Sequence, residues 1–310
     1  MSSTSQAPRL EQTSVSLECD TEEVLLAPLA RLSLAQPPAL AASTAATAAV
    51  SPTQRFFPFV VVDTIEKLAA AIDGLEGATH IALDAEGVDL SRVGRMTVLV
   101  LKRIDLASSV PSPAFLVDLH ELGGPGRAFS SPEGQALKRL VESSTALRVT
   151  FDCRTDSDAL WHQFGVRLTN VLDLQVYDQG VRLHYGEPPP RRNGSWVPYV
   201  TGMAKVGPRY VDRADFRALD VSPAPHKLDA NAWAKRPLSD RAWAYAANDA
   251  HLIDLMFRAM EAKEITLHLK SRVALHSDRY VRVFRDHRQV VTWDSHKTLV
   301  MEERNILLEP

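Results

Sequence analysis

The chain is poor in the features that mark several protein classes. Of its 310 residues only Cys19 and Cys153 are cysteines, and they lie in unrelated contexts. Two such thiols make no disulfide framework, and a reducing compartment is expected. No Cys/His cluster has zinc spacing. No apolar run approaches membrane-spanning length, so no membrane partner is expected. The N-terminal stretch has no basic segment followed by an apolar core, which predicts no secretory leader. Together these absences point to the cytoplasm or the nucleus. Excess positive charge is also missing: 35 Lys and Arg stand against 38 Asp and Glu, a formal net charge of -3. A passive nucleic-acid coat would be basic. A nucleic-acid enzyme fits, because acidic metal ligands offset a basic groove in the sum.

What is present is mostly globular, with 45% hydrophobic and 24% charged residues. Residues 1–55 are the exception. They are rich in Ser, Ala, Thr and Pro and are expected to be mostly disordered. Within them, residues 21–34 could form a short apolar patch. Order is expected from Phe56. Short strands are expected at 59–62, 80–84, 96–103, 114–118 and 147–151, and near 170–174. Helices are expected from Asp63 or Thr64 to Gly74, and over 135–143, 156–164, 173–180 and 239–260. The three strands between 80 and 118 are close enough to form an antiparallel meander. Later strands are separated by helices, which predicts an α/β layer architecture with helices on both faces.

Two carboxylate clusters carry the chemistry. Asp84 and Glu86 flank Ala85 at the end of an apolar run, so on a strand both point to one face. Paired carboxylates raise each other's pKa and are most readily held by a shared cation. A strand end that simply reaches water would carry the same pair. Tyr245 and Asp249 are spaced i, i+4 on the long helix and share a face. The small neighbours Ala246, Ala247 and Ala250 let another element approach closely. Between the clusters stand Asp152, Asp156 and Asp158, and the residues alone do not decide among them.

In this order, these segments resemble the DEDD family of 3′-to-5′ exonucleases. The Tyr245 and Asp249 spacing points to its DEDDy branch, which includes ribonuclease D and the Werner-syndrome exonuclease domain. The resemblance runs from about Phe56 to Glu264. Its register, set by Asp173 within Asn170-Val171-Leu172-Asp173, selects Asp156 as the middle acid. Arg236-Pro237-Leu238-Ser239, followed by the Tyr245 segment, is similar to the family's closing motif. Asp84-Ala85-Glu86-Gly87-Val88-Asp89-Leu90, Asp152-Cys153-Arg154-Thr155-Asp156 and His276-Ser277-Asp278-Arg279-Tyr280 are similar to the Egalitarian-like exonuclease-domain proteins. Phe151 departs from that subgroup, whose members often carry His there. Some of its members have a decayed site, whereas every matched ligand position here is filled.

The resemblance implies an RNase H-like exonuclease fold with a mixed sheet, an antiparallel meander plus parallel strands. It implies two divalent ions, Mg²⁺ or Mn²⁺, held by Asp84, Glu86, Asp156 and Asp249. Tyr245 would orient the attacking water, and Gly87, Val88 and Met96 would line the terminal-nucleotide pocket, with ordinary core packing the other reading of Val88 and Met96. The implied substrate is the 3′ end of RNA or single-stranded DNA. An RNA-binding adapter with a weak or inactive site is the alternative, and an RNase H-like endonuclease or integrase is a third reading. The implied organisation is residues 1–55 outside the fold, 56–264 as the exonuclease domain and 265–310 as a basic extension packed on or near it. Positive charge gathers at Arg191, Arg192, Lys205, Arg209 and Arg213. It gathers again at Lys270, Arg272, Arg279, Arg282, Arg285 and Arg288, with Tyr280, Phe284 and Trp293 interleaved. These would meet phosphates and stacked bases, or equally form a solvated helix face. His268, His276, His287 and His296 are expected to be packing or surface residues.

Overall fold

A computed structural model describes residues 57–187, 191–192, 195–196, 201–220 and 223–286. The apolar patch at 21–34, the rest of 1–55, and Arg288, Trp293, His287 and His296 lie outside the described residues, as do the side chains of Arg191 and Arg192.

The first element is strand β1 (Phe59–Val62), followed by helix α1 (Ile65–Leu75). Thr64 caps α1 by accepting the Lys67 amide at 3.3 Å. Next come β2 (His80–Val88), β3 (Arg95–Ile104) and β4 (Ala114–Asp118). Helix α2 (Pro132–Glu142) starts where Ser131 accepts the Gly134 amide at 2.9 Å. Strand β5 (Leu147–Thr150), helix α3 (Arg154–Phe164), strand β6 (Val171–Asp173) and helix α4 (Leu174–His184) follow. The sheet order is β1-β4-β3-β2-β5-β6. Strands β2, β3 and β4 pair antiparallel in sequence, which is the expected meander. Strands β5 and β6 add in parallel beside β2, and β1 adds in parallel beside β4. Helices separate the added strands, which makes the sheet mixed and the protein an RNase H-like α/β fold.

Strand β2 runs four residues past its expected end at Asp84. Antiparallel pairing with β3 keeps the chain extended through Val88, opposite Arg95, with an irregularity between Glu86 and Gly87. Gly87 is needed there, because a Cβ would overlap the backbone carbonyl of Arg95.

Three short helices, α5 (Met203–Tyr210), α6 (Arg213–Leu219) and α7 (Pro225–Leu228), lead to the long α8 (Asp240–Glu261). Ser239 caps α8 by accepting the Ala242 amide at 3.2 Å, and Asp240 suits its positive end. Ala246, Ala247 and Ala250 are fully buried, and α8 packs across β2, β3, β4 and β5 through such small residues. Buried Lys102 of β3 pairs with Asp254 of α8, and Arg258 holds the same carboxylate at 2.6 Å. This three-charge link fixes how α8 sits on the sheet, five residues beyond Asp249.

The last helix, α9 (Leu267–Arg285), begins beyond the expected boundary at Glu264 and packs on α3, β6 and α4. Val273, Tyr280, Val281, Val283 and Phe284 are buried in that interface. Tyr280 and Phe284 are therefore closed to stacked bases, contrary to expectation. Their rings instead flank the Arg154 guanidinium, at 4.5 Å and 5.2 Å. The expected basic face is also partly spent within the protein. Arg282 pairs with Asp278, Lys270 with Glu261 at 3.0 Å, and buried Arg285 with Asp286 at 2.8 Å. An i, i+4 helical face looks the same in sequence whether it meets water or a neighbouring helix.

Candidate metal and nuclease site

The site forms where β2 leaves the centre of the sheet. Ala85 points into the core, so Asp84 and Glu86 share the opposite face, both half-buried. Helix α8 brings Asp249 to the same place. One carboxylate oxygen from each of Asp84, Glu86 and Asp249 lies within 4.8 Å of the others. Asp156, in the first turn of α3, is buried beside them without belonging to that tight set. The structure thus brings three of the expected acids together and sets the fourth alongside.

Burial pushes the Asp84 carboxyl up to about 7. Glu86 rises well above the usual carboxylate range through burial, then through the charges of Asp84, Asp249 and Asp156. Asp156 rises for the same first cause, with Asp84, Asp152 and Asp173 adding to it. Asp249 is also raised by burial and by Asp84, although a hydrogen bond with Tyr245 partly offsets this. The Tyr245 phenol is driven upward by burial and by Asp249, Glu86 and Asp84, so it keeps its proton at neutral pH. Its ring packs against the fully buried Trp233, with centroids 6.2 Å apart.

The other two middle carboxylates have different work. Asp152 binds the buried Arg154 at 2.6 Å. Asp158 takes the Arg92 backbone amide at 2.6 Å and its Nε at 3.0 Å. Asp173, used in sequence only to set the register, is an organiser. It caps α4 at Gln175 (2.9 Å), accepts the Cys153 amide (2.9 Å) and accepts the Thr150 hydroxyl (3.2 Å). It thereby ties β5, β6 and α4 to the start of the helix that carries Asp156.

Arg92 was missed in sequence, where it reads as an ordinary loop cation. It joins the β2–β3 loop to Asp158 of α3 and to the Phe284 carbonyl of α9. Gln163 of α3 reinforces the link, accepting the Met96 amide at 3.0 Å and donating to the Ser91 carbonyl at 2.6 Å. The strand bearing Asp84 and Glu86 is therefore clamped to the helix bearing Asp156. Arg92→Ala removes the guanidinium from the buried Asp158, leaving it the residue-92 backbone amide and His162 at 3.6 Å. The expected cost is about 2 kcal/mol, below that of a fully buried pair because Arg92 is partly exposed. Urea unfolding midpoints measure it, and an unchanged midpoint would remove the clamp.

The donor set fits a hard divalent ion: the ligating atoms are all carboxylate oxygens. Their raised pKa values reflect a concentration of negative charge that a cation would relieve. The sign of the pH effect follows. A carboxyl raised in the folded state opposes folding once ionised, so stability is lost as pH rises from about 4 towards about 7. Added Mg²⁺ or Mn²⁺ is expected to raise the melting temperature strongly at pH 8 and little at pH 5. Differential scanning fluorimetry with and without EDTA checks this, and an equal shift at both pH values would contradict it.

The mixed sheet and this acidic nest define an RNase H-like nuclease architecture. A family model described as 3′-5′ exonuclease matches residues 59–263, and the chain belongs to that family. The match is consistent with the DEDDy branch. RNase D of Trypanosoma brucei superposes with a TM-score of 0.61 at 25% identity, covering 82% of each chain. The structure of that RNase D in complex with RNA U12 also matches, with a TM-score of 0.61 at 25% identity over 81% of this chain and 79% of that one. The mouse piRNA biogenesis protein EXD1 is 29% identical over 182 residues, 58% of this chain and 29% of that protein. The human protein of the same name is 33% identical over 113 residues, 36% of this chain and 20% of that protein. The matched segments thus span less than a third of those relatives. No helix among the described residues is long and apolar enough to cross a membrane.

Proposed function

We propose that the chain is a 3′-to-5′ exonuclease that hydrolyses phosphodiester bonds of RNA or single-stranded DNA with two divalent ions, Mg²⁺ or Mn²⁺. The convergence of Asp84, Glu86 and Asp249 within 4.8 Å carries this reading. With Asp156 beside them, these residues would hold the ions, which when bound supply water activation and charge neutralisation at the phosphate. The Tyr245 phenol stays protonated, so it acts as a hydrogen-bond donor that orients water rather than as a base. Trp233 and Asp249 set its direction. RNA is favoured as substrate because the matched RNase D structure holds an RNA.

We take residues 56–264 as the catalytic domain, with α9 docked on it as a buttress, and place the protein in the cytoplasm or nucleus. The alternative is an RNA-binding adapter of the same fold; the name of the curated relatives, piRNA biogenesis protein, suits an RNA ligand under either reading. A 5′-labelled oligonucleotide, RNA or DNA, decides between them. Incubation with Mg²⁺ or Mn²⁺ is expected to give a ladder receding from the 3′ end, and EDTA to stop it. Tight binding with no shortening under any metal would reject the enzyme in favour of the adapter. Internal cuts would point to an endonuclease.

A further inference from the structure

A second site lies away from the acidic nest. Where α4 and α8 end, they and the end of α5 border a half-open cavity of about 410 Å³. That volume falls within the range of small-molecule pockets. Arg182, Tyr185, Arg209, Tyr210 and Lys263 line it, with one acid, Glu187. Helix α8 runs twelve residues beyond Asp249 to its end at Glu261, about 18 Å, and Lys263 follows just after, so the cavity stands about 20 Å from that carboxylate. None of these side chains has a part in the hydrolysis proposed above.

The cavity carries surplus positive charge. Glu187 pairs with Arg209 at 3.2 Å, and both are exposed. Asp178, buried below, is used twice: it accepts Arg182 Nε at 2.8 Å and the Tyr210 hydroxyl at 2.9 Å. Those bonds fix Arg182, which is nine-tenths buried. Beside it are two aromatic faces. The Lys263 ammonium stands 5.7 Å from the Tyr185 ring centre and 5.9 Å from that of Tyr210. Tyr185 is more than half exposed, so its ring can still receive a flat partner.

Cations next to an exposed tyrosine ring suit a ligand with a phosphate at one end and a planar ring at the other. We propose that this cavity binds a nucleotide unit, with its phosphate at Arg209 and Lys263 and its base on Tyr185. The unit is either a free nucleotide or one member of a strand whose 3′ end lies elsewhere. A stacked strand rising about 3.4 Å per nucleotide needs roughly six nucleotides to cover the 20 Å from Asp249.

Binding is measured on the full chain in EDTA, so the outcome does not depend on hydrolysis. The probes are UMP, inorganic phosphate, and labelled oligo(U) of four and twelve nucleotides. The variants are Tyr185→Ala and Lys263→Glu, with Arg209→Ala as an exposed control for the phosphate contact; circular dichroism checks their fold. If the source is a free nucleotide, UMP binds more tightly than phosphate and each variant weakens it about tenfold. If the source is a strand, the twelve-mer weakens about tenfold in the variants while the four-mer does not. Folded variants that bind every probe as the wild type does would overturn the proposal. So would a wild type that binds no probe, or a polyglutamate peptide that competes as well as the twelve-mer, which would mark a bare cationic patch.

Discussion

Asp84→Asn is expected to cut 3′-end shortening by about a thousandfold or more while making the metal-free protein more stable. The two effects have one cause. Asp84 faces Glu86 and Asp249 across less than 4.8 Å, and its carboxyl is held up to about 7 mainly by burial. At pH 8 it is ionised in the folded chain against that bias, so the amide relieves a destabilising charge. The gain is on the order of 2 kcal/mol at pH 8, or roughly 4–8 °C in melting temperature, and fades towards pH 4. The amide is also a weaker ligand, so the stabilisation of the protein by Mg²⁺ or Mn²⁺ should shrink with the activity. Oligonucleotide ladders and melting curves at pH 5 and pH 8 test both halves. A variant that loses activity and also melts lower at pH 8 would show that Asp84 holds the fold together rather than the ions.

Ending the chain at Glu264 is expected to abolish cooperative folding. Helix α9 buries Val273, Tyr280, Val281, Val283 and Phe284. At about 1.5–3 kcal/mol for each buried side chain, removal costs on the order of 10 kcal/mol, comparable to the whole stability of a domain. Polar anchors go with it. The Ser277 hydroxyl accepts the Asp173 amide at 3.0 Å, and the Tyr280 hydroxyl donates to Gln175. Arg154 would lose both rings that flank it, next to the acid-bearing turn of α3. Helix α4 is shaped for this contact: a Cβ on Gly180 would press against the Val273 side chain, at 2.7 Å. Circular dichroism melts of full-length and shortened chains give the answer. A shortened chain that melts cooperatively within a few degrees of the full one would mean that α9 is an accessory.

Much of the site could be read from residue order. The alternation of Asp84, Ala85 and Glu86 needed only the two-residue period of a strand. Tyr245 and Asp249 needed only the helical turn, and Ser239 announced the start of their helix. Other features could not be read this way. Asp152, Asp156 and Asp158 look alike along the chain. They differ because Arg154 takes the first, while Arg92, 66 residues from Asp158, takes the third. The same limit hid Tyr280 and Phe284, which were expected to meet bases and instead pack inside.

Local periodicity, caps and motif order were enough to set the kind of fold and the Asp84–Glu86 and Tyr245–Asp249 pairs, because each depends on neighbours a few residues apart. Which acids keep their charge uncompensated, which cations are consumed by ion pairs and which aromatic rings stay open were decided only by tertiary packing. Charge and burial act through space, and a carboxylate's partner can come from any distance along the chain.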